Sequence, residues 1–198
     1  MNLLDKISYS NTTLIGYDTQ NEHLVKKLLQ FLPSVILFER ASSDKEVMEH
    51  FNSVSHFRDY KLSSILDNNK TNYVVVDLST LFFEEESKDS NELFSGITRR
   101  KFIQELQSRL YTLSDSSIKF KLVLLSNIYI TMTPLNTQVF FRGGSTIVNV
   151  VDLVVKFLGD KLMVEKDRNT STVYTQNVKE ELREISIKSL FDELTATT

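Results

Sequence analysis

The 198 residues include no cysteine, no tryptophan, two prolines, five glycines and three histidines. Without cysteine, disulfides and thiolate metal sites are excluded. So few glycines and prolines leave little chain for flexible linkers, and a chain of this length reads as one domain, 1–198, around one core. Long apolar runs are missing as well. Nothing approaches the roughly 20 apolar residues of a membrane helix, and 1–13 holds no stretch suited to a signal peptide. The expectation is an intracellular protein, cytoplasmic or (in a eukaryote) nuclear, with no membrane partner. Positive charge is also in short supply: 23 Lys and Arg against 26 Asp and Glu, a net charge of −3. Proteins that grip many phosphates show a basic face, so strong autonomous DNA binding is disfavoured, while a local basic loop is compatible with these numbers.

What is present is ordinary for a folded protein, with 41% apolar and 25% charged residues. Short β-branched or apolar runs at 12–17, 34–38, 73–78 (YVVVDL) and 119–126 (KFKLVLLS) predict strands. The last two are nearly unbroken, as expected for strands buried on both faces of a parallel sheet. Helical spacing marks 22–31, 44–51 with Ser43 as N-cap, and 97–113. Further strands are predicted at 148–157, 161–165 and 172–176, then a closing helix over 178–194. The acidic run Glu84, Glu85, Glu86 and the polar residues to about 91 read as an exposed loop. This alternation predicts an α/β domain, a mostly parallel central sheet with helices on both faces and a C-terminal β extension.

Several chemistry-bearing positions recur at strand ends. After the first strand, 16–23 reads GYDTQNEH, where a phosphate-binding loop would read G-x-x-x-x-G-K-[ST]. The glycines of that loop let backbone N–H groups face phosphates, its lysine neutralises them and its hydroxyl holds Mg²⁺. Only Gly16 matches; Asn21, Glu22 and His23 occupy the places of the second Gly, the Lys and the hydroxyl. A carboxylate in place of the ammonium turns an attraction of about 4 kcal/mol, at about 4 Å and intermediate dielectric, into a comparable repulsion, and Asp18 adds to it. The second strand ends at Glu39, the third at Asp77 within 73–79, and the fourth at Ser126 and Asn127. Further on come Phe140, Phe141, Arg142, Gly143 and Gly144 within 131–145, then Val151-Asp152-Leu153-Val154 and KLMVEKDRN at 161–169.

In order and spacing these pieces resemble the RecA superfamily of RecA-type recombinases, the KaiC group and DnaB-type helicases, over about 12–176. The resemblance implies a RecA-like domain with a degenerate phosphate loop. In it Glu39 stands where the superfamily polarises the attacking water, Asp77 where a Walker B Asp supports Mg²⁺, and Asn127 where a polar residue senses the nucleotide. It further implies that 131–145 is a DNA- or partner-facing loop. Lys166 and Arg168 then resemble the K-x-R pair that reaches a neighbour's γ-phosphate across a subunit interface. Each position also has a plainer reading: an ordinary strand-turn-helix, solvated strand ends, a solvated basic turn, and Phe140 and Phe141 packed in the core.

His50 and His56 lack a cysteine or ordered carboxylate partner, so no metal is expected, and no nucleophile elbow is present. The reading is therefore a pseudo-ATPase with no cofactor, serving recombination, repair or replication. It would form a homo-oligomer or a hetero-oligomer with a RecA-like ATPase, with single-stranded DNA as a further ligand. The alternatives are a RecA-fold scaffold in an assembly unrelated to DNA, and a divergent active ATPase.

Overall fold

A computed structural model describes residues 2–39, 42–67, 70–83, 92–133, 136–141, 145–168 and 174–185. Its centre is an eight-stranded mixed sheet. Strands β1 (Thr12–Tyr17), β2 (Val35–Phe38), β3 (Thr71–Asp77), β4 (Lys119–Thr133) and β6 (Leu153–Leu158) lie in the order β2-β3-β4-β1-β6, all parallel. Strands β7 (Lys161–Asp167) and β8 (Tyr174–Asn177) continue antiparallel beyond β6, and β5 (Asn136–Phe141) pairs antiparallel with β4. The sheet is thus mostly parallel, with a C-terminal antiparallel extension. As the unbroken apolar runs required, β3 and β4 each have a strand on both sides.

Alternation along these strands separates two cores. Leu14, Val74, Val76, Leu122 and Leu124 face one side, where α3 (Asp44–Asn52), α4 (Val54–Leu66), α5 (Glu92–Leu113) and α6 (Ser145–Val148) lie. Ile15, Val75, Val123 and Leu125 face the other, covered by α1 (Leu3–Tyr9), α2 (Glu22–Leu29) and a helix over 178–185. Ser43 is the N-cap of α3, its hydroxyl accepting the Glu46 N–H at 3.1 Å.

The structure departs from the sequence reading in four places. Helix α1 was not foreseen; it is tied down from far along the chain, Lys6 pairing with Asp167 and Leu3 N–H donating to Glu181. Helix α4 carries no amphipathic signal, because Val54, Leu62, Ile65 and Leu66 all stay exposed. Residues 148–157 are not one strand: α6 ends at Val148, and β6 begins only after Asp152, whose carboxylate accepts Thr12 N–H at 3.1 Å. The expected loop 131–145 is largely the β4–β5 hairpin, with Tyr129 opposite Phe140 and Ile128 opposite Phe141. Arg142, Gly143 and Gly144 lie outside the described residues, as do the acidic run at 84–86 and the chain beyond 185.

The elbow between α3 and α4 is built on histidines. His50 Nε2 and Tyr60 Oη lie 2.6 Å apart, the His50 and His56 rings are 4.4 Å apart, and the rings of Phe38 and Phe51 meet His50 edge-on. Burial, reinforced by His56 and opposed by Glu46, holds the His50 pKa below its ordinary 6.5. In acid the unfolded chain therefore takes up a proton more readily than the native fold. Stability contributed by His50 is full above pH 6.5 and falls as pH drops below it. Denaturant midpoints should decline between pH 7 and pH 5, and less steeply in His50→Phe; parallel slopes would remove His50 as the source.

Candidate functional site

Parallel pairing brings the carboxyl ends of β1, β2, β3 and β4 to one edge of the sheet. β1 sits between β4 and β6, so the chain leaves β1 toward β2 on one side and leaves the β4–β5 hairpin toward β6 on the other. Such reversals open a crevice at the carboxyl ends, the usual ligand position in open α/β sheets. Tyr17, Asp77 and Asn127 all reach this edge, and Glu39 follows directly on β2. Asp77, only 6% exposed, accepts from Ser79 N–H at 2.9 Å and from Tyr17 Oη at 3.4 Å. Ser79 Oγ in turn accepts Asn127 N–H at 2.5 Å. Burial first, and the charge of Glu39 in addition, pushes the Asp77 pKa up against these hydrogen bonds. Burial and then the neighbouring Asp77 push the Tyr17 phenol upward too.

The turn expected at 16–23 is tightly closed. Gly16 is a strand residue, paired with Ser126 on one side and Lys156 on the other. A Cβ there would meet Phe141 Cε1 at 2.4 Å and Ile128 Cγ2 at 2.6 Å, so packing demands this glycine. Asp18 then caps a single 3-10 turn, Thr19–Asn21, accepting from Asn21 N–H at 3.0 Å and from its Nδ2 at 2.9 Å. The same carboxylate accepts Gly159 N–H at 2.8 Å, while Asn21 Nδ2 donates to Gly159 O at 2.9 Å. Gly159 has φ +57°, a conformation that favours glycine. The β1–α2 turn is thereby locked to the β6–β7 turn, with the Asn21 and Gly159 amides engaged inside the protein. Glu22 pairs with Lys26 at 2.8 Å on α2, and His23 is exposed.

The remaining positions lie apart from this edge. Lys166 Nζ donates to Val148 O at 2.8 Å, and Arg168 donates to Asp152 Oδ1 and Asn149 O, each at 3.2 Å. Both side chains converge on the α6–β6 connection, at the amino edge of the sheet, because Asp167 pairs with Leu153 where β6 begins. The six residues of β1 separate the two edges by roughly 17 Å. Phe141 is buried beside Gly16, with Lys156 Nζ 4.9 Å from its ring centroid; Phe140 faces outward, stacked on Tyr129 at 5.6 Å. Of the two neighbouring phenylalanines, then, one packs in the core and one shows itself to solvent. Tyr129 was missed by sequence reasoning, although its β-rich run through Ile128 and Ile130 was a signal that β4 continues.

Among the described residues, no three His, Asp or Glu side chains are grouped to hold a metal ion, and no helix is long and apolar enough to cross a membrane. No family model matches the chain, and no curated protein matches it.

Proposed function

We propose that this chain is a RecA-like pseudo-ATPase that assists recombination, repair or replication by assembling with a competent ATPase. The observation that carries the reading is the convergence of Glu39, Asp77 and Asn127 at the carboxyl edge beside a sealed β1–α2 turn. That edge has the strand-end side chains the RecA resemblance calls for. The turn beside it, closed by Asp18 and Asn21 and entered by Glu22, supplies carboxylates where phosphates would lie. In this reading Lys166 and Arg168 serve a partner, since about 17 Å of strand separates them from their own Asp77 edge. They would have to exchange their bonds to the α6–β6 connection for that anion. Phe140 and Tyr129 offer stacking faces for single-stranded DNA at the hairpin. A scaffold role outside DNA metabolism draws on the exposed α4 residues Leu62, Ile65 and Leu66, which suit a protein interface.

Calorimetric titration of the isolated chain with Mg-ATP is expected to give no measurable heat of binding and no turnover. A dissociation constant in the low micromolar range would sink the pseudo-ATPase reading. Capture of partners from native extract should then recover a RecA-type ATPase, a helicase or a single-strand-binding protein; a tRNA-modifying or other unrelated assembly would favour the scaffold.

A further inference from the structure

We propose that a pocket between α2 and the open face of β2 binds a small organic cation, a primary amine carried on an apolar body. The pocket encloses about 500 Å³, within the range of small-molecule sites, about 300–1,000 Å³. Val25 and Leu29 of α2 form one wall, and Val35 and Leu37 of β2 the other. The latter two remain 39% and 47% exposed although they sit in a sheet strand, so an apolar ligand would remove surface from water that the fold itself leaves wet. Glu39 and Asp77 supply the acidic part of the lining.

Charge selects the ligand class. Among the described residues the lining holds the carboxylates of Glu22, Glu39 and Asp77 against the ammonium of Lys26. Lys26 is already joined to Glu22 at 2.8 Å, so among the described lining residues no cation remains for the other two carboxylates. Asp77 Oδ2 meets Tyr17 Oη only at a long 3.4 Å, so it retains capacity to accept from an ammonium, and the phenol oxygen retains lone pairs as well. A carboxylate or phosphate entering the same space would meet like charge at low dielectric. Apolar walls with two unneutralised carboxylates therefore favour an arylalkyl- or alkylamine over an anion. This holds whether or not the chain assembles with a RecA-type ATPase.

Titration of the full chain with tryptamine and with indole-3-propionic acid, which share a ring but carry opposite charge, tests the assignment. Tryptamine should bind at least tenfold more tightly than the acid. Glu39→Gln, a change on an exposed side chain, should weaken tryptamine about fivefold or more without altering the melting temperature. Leu37→Lys, which sets a cation against the ligand and removes an apolar wall, should abolish binding. Equal binding of the two indoles, absence of tryptamine binding at millimolar concentration, or unchanged affinity in both variants would each overturn the proposal. None of these outcomes alters the Mg-ATP titration, so the two readings fail separately.

Discussion

Lys6→Ala is expected to destabilise the protein by about 3–5 kcal/mol. Lys6 Nζ lies 2.6 Å from Asp167 Oδ2, and the two side chains are 4% and 1% exposed. An exposed pair would be worth only about 0–1 kcal/mol. Here the alanine would take the ammonium away from a carboxylate buried at the end of β7 beneath α1. The same region holds the apolar contacts of Leu3 and Ile7 with the sheet, so losing the pair loosens the whole helix. Asp167→Ala should cost as much, by taking the carboxylate away from the buried ammonium. A Lys6→Met, Asp167→Leu double variant should recover most of the stability, because two apolar side chains of similar volume avoid the desolvation cost altogether. Urea unfolding of the four proteins measures these three changes directly. Single variants within about 1 kcal/mol of the parent would show that water reaches the pair.

Gly16→Ala should cost about 1–3 kcal/mol, the usual range for overpacking a filled core. Its Cβ would lie 2.4 Å from Phe141 and 2.6 Å from Ile128. Phe141 is 3% exposed and has Lys156 against its ring, and Ile128 is pinned in β4 opposite it. Neither neighbour can turn away without breaking the hairpin's packing. Phe141→Ala alone should cost about 3–5 kcal/mol through the cavity it leaves. Combined with Gly16→Ala, the total should be smaller than the sum, since the new methyl enters the vacated space. Strict additivity would mean that Phe141 is not what demands the glycine. The same pair bears on function: a glycine required by the hairpin is no remnant of a phosphate loop on that ground alone.

The parallel core was legible because β3 and β4 are buried on both faces, which forces continuous apolar runs such as YVVVDL. The residues at strand ends were legible for the same reason, since Asp77 and Asn127 are polar breaks in those runs. Helix α1 was missed: its Asn2–Asp5 capping box was a local signal, but its anchors Asp167 and Glu181 lie more than 150 positions away, outside any local window. Helix α4 escaped because its exposed Leu62, Ile65 and Leu66 spoil the periodicity by which helices are read. The β4–β5 hairpin was read as a loop on the RecA resemblance, whereas cross-strand pairs such as Tyr129 with Phe140 determine it. Likewise the ties between Asp18, Asn21 and Gly159 join turns some 140 residues apart. The glycine, asparagine and carboxylate were visible in the sequence, but their closure on one another was not.

The opposed positions of Asp77 and the Lys166–Arg168 pair carry a consequence for symmetry. One marks the carboxyl edge of the sheet and the other its amino edge. A contact that carried the basic pair of one molecule to the acidic edge of the next would join two unlike surfaces. A two-fold dimer uses the same patch on both members and leaves nothing unpaired, but this contact would leave a free surface of each kind at the two ends. Identical copies joined in this way would close only as a ring and would otherwise grow as a filament. With an unlike partner a single copy would occupy one end of the series and halt it.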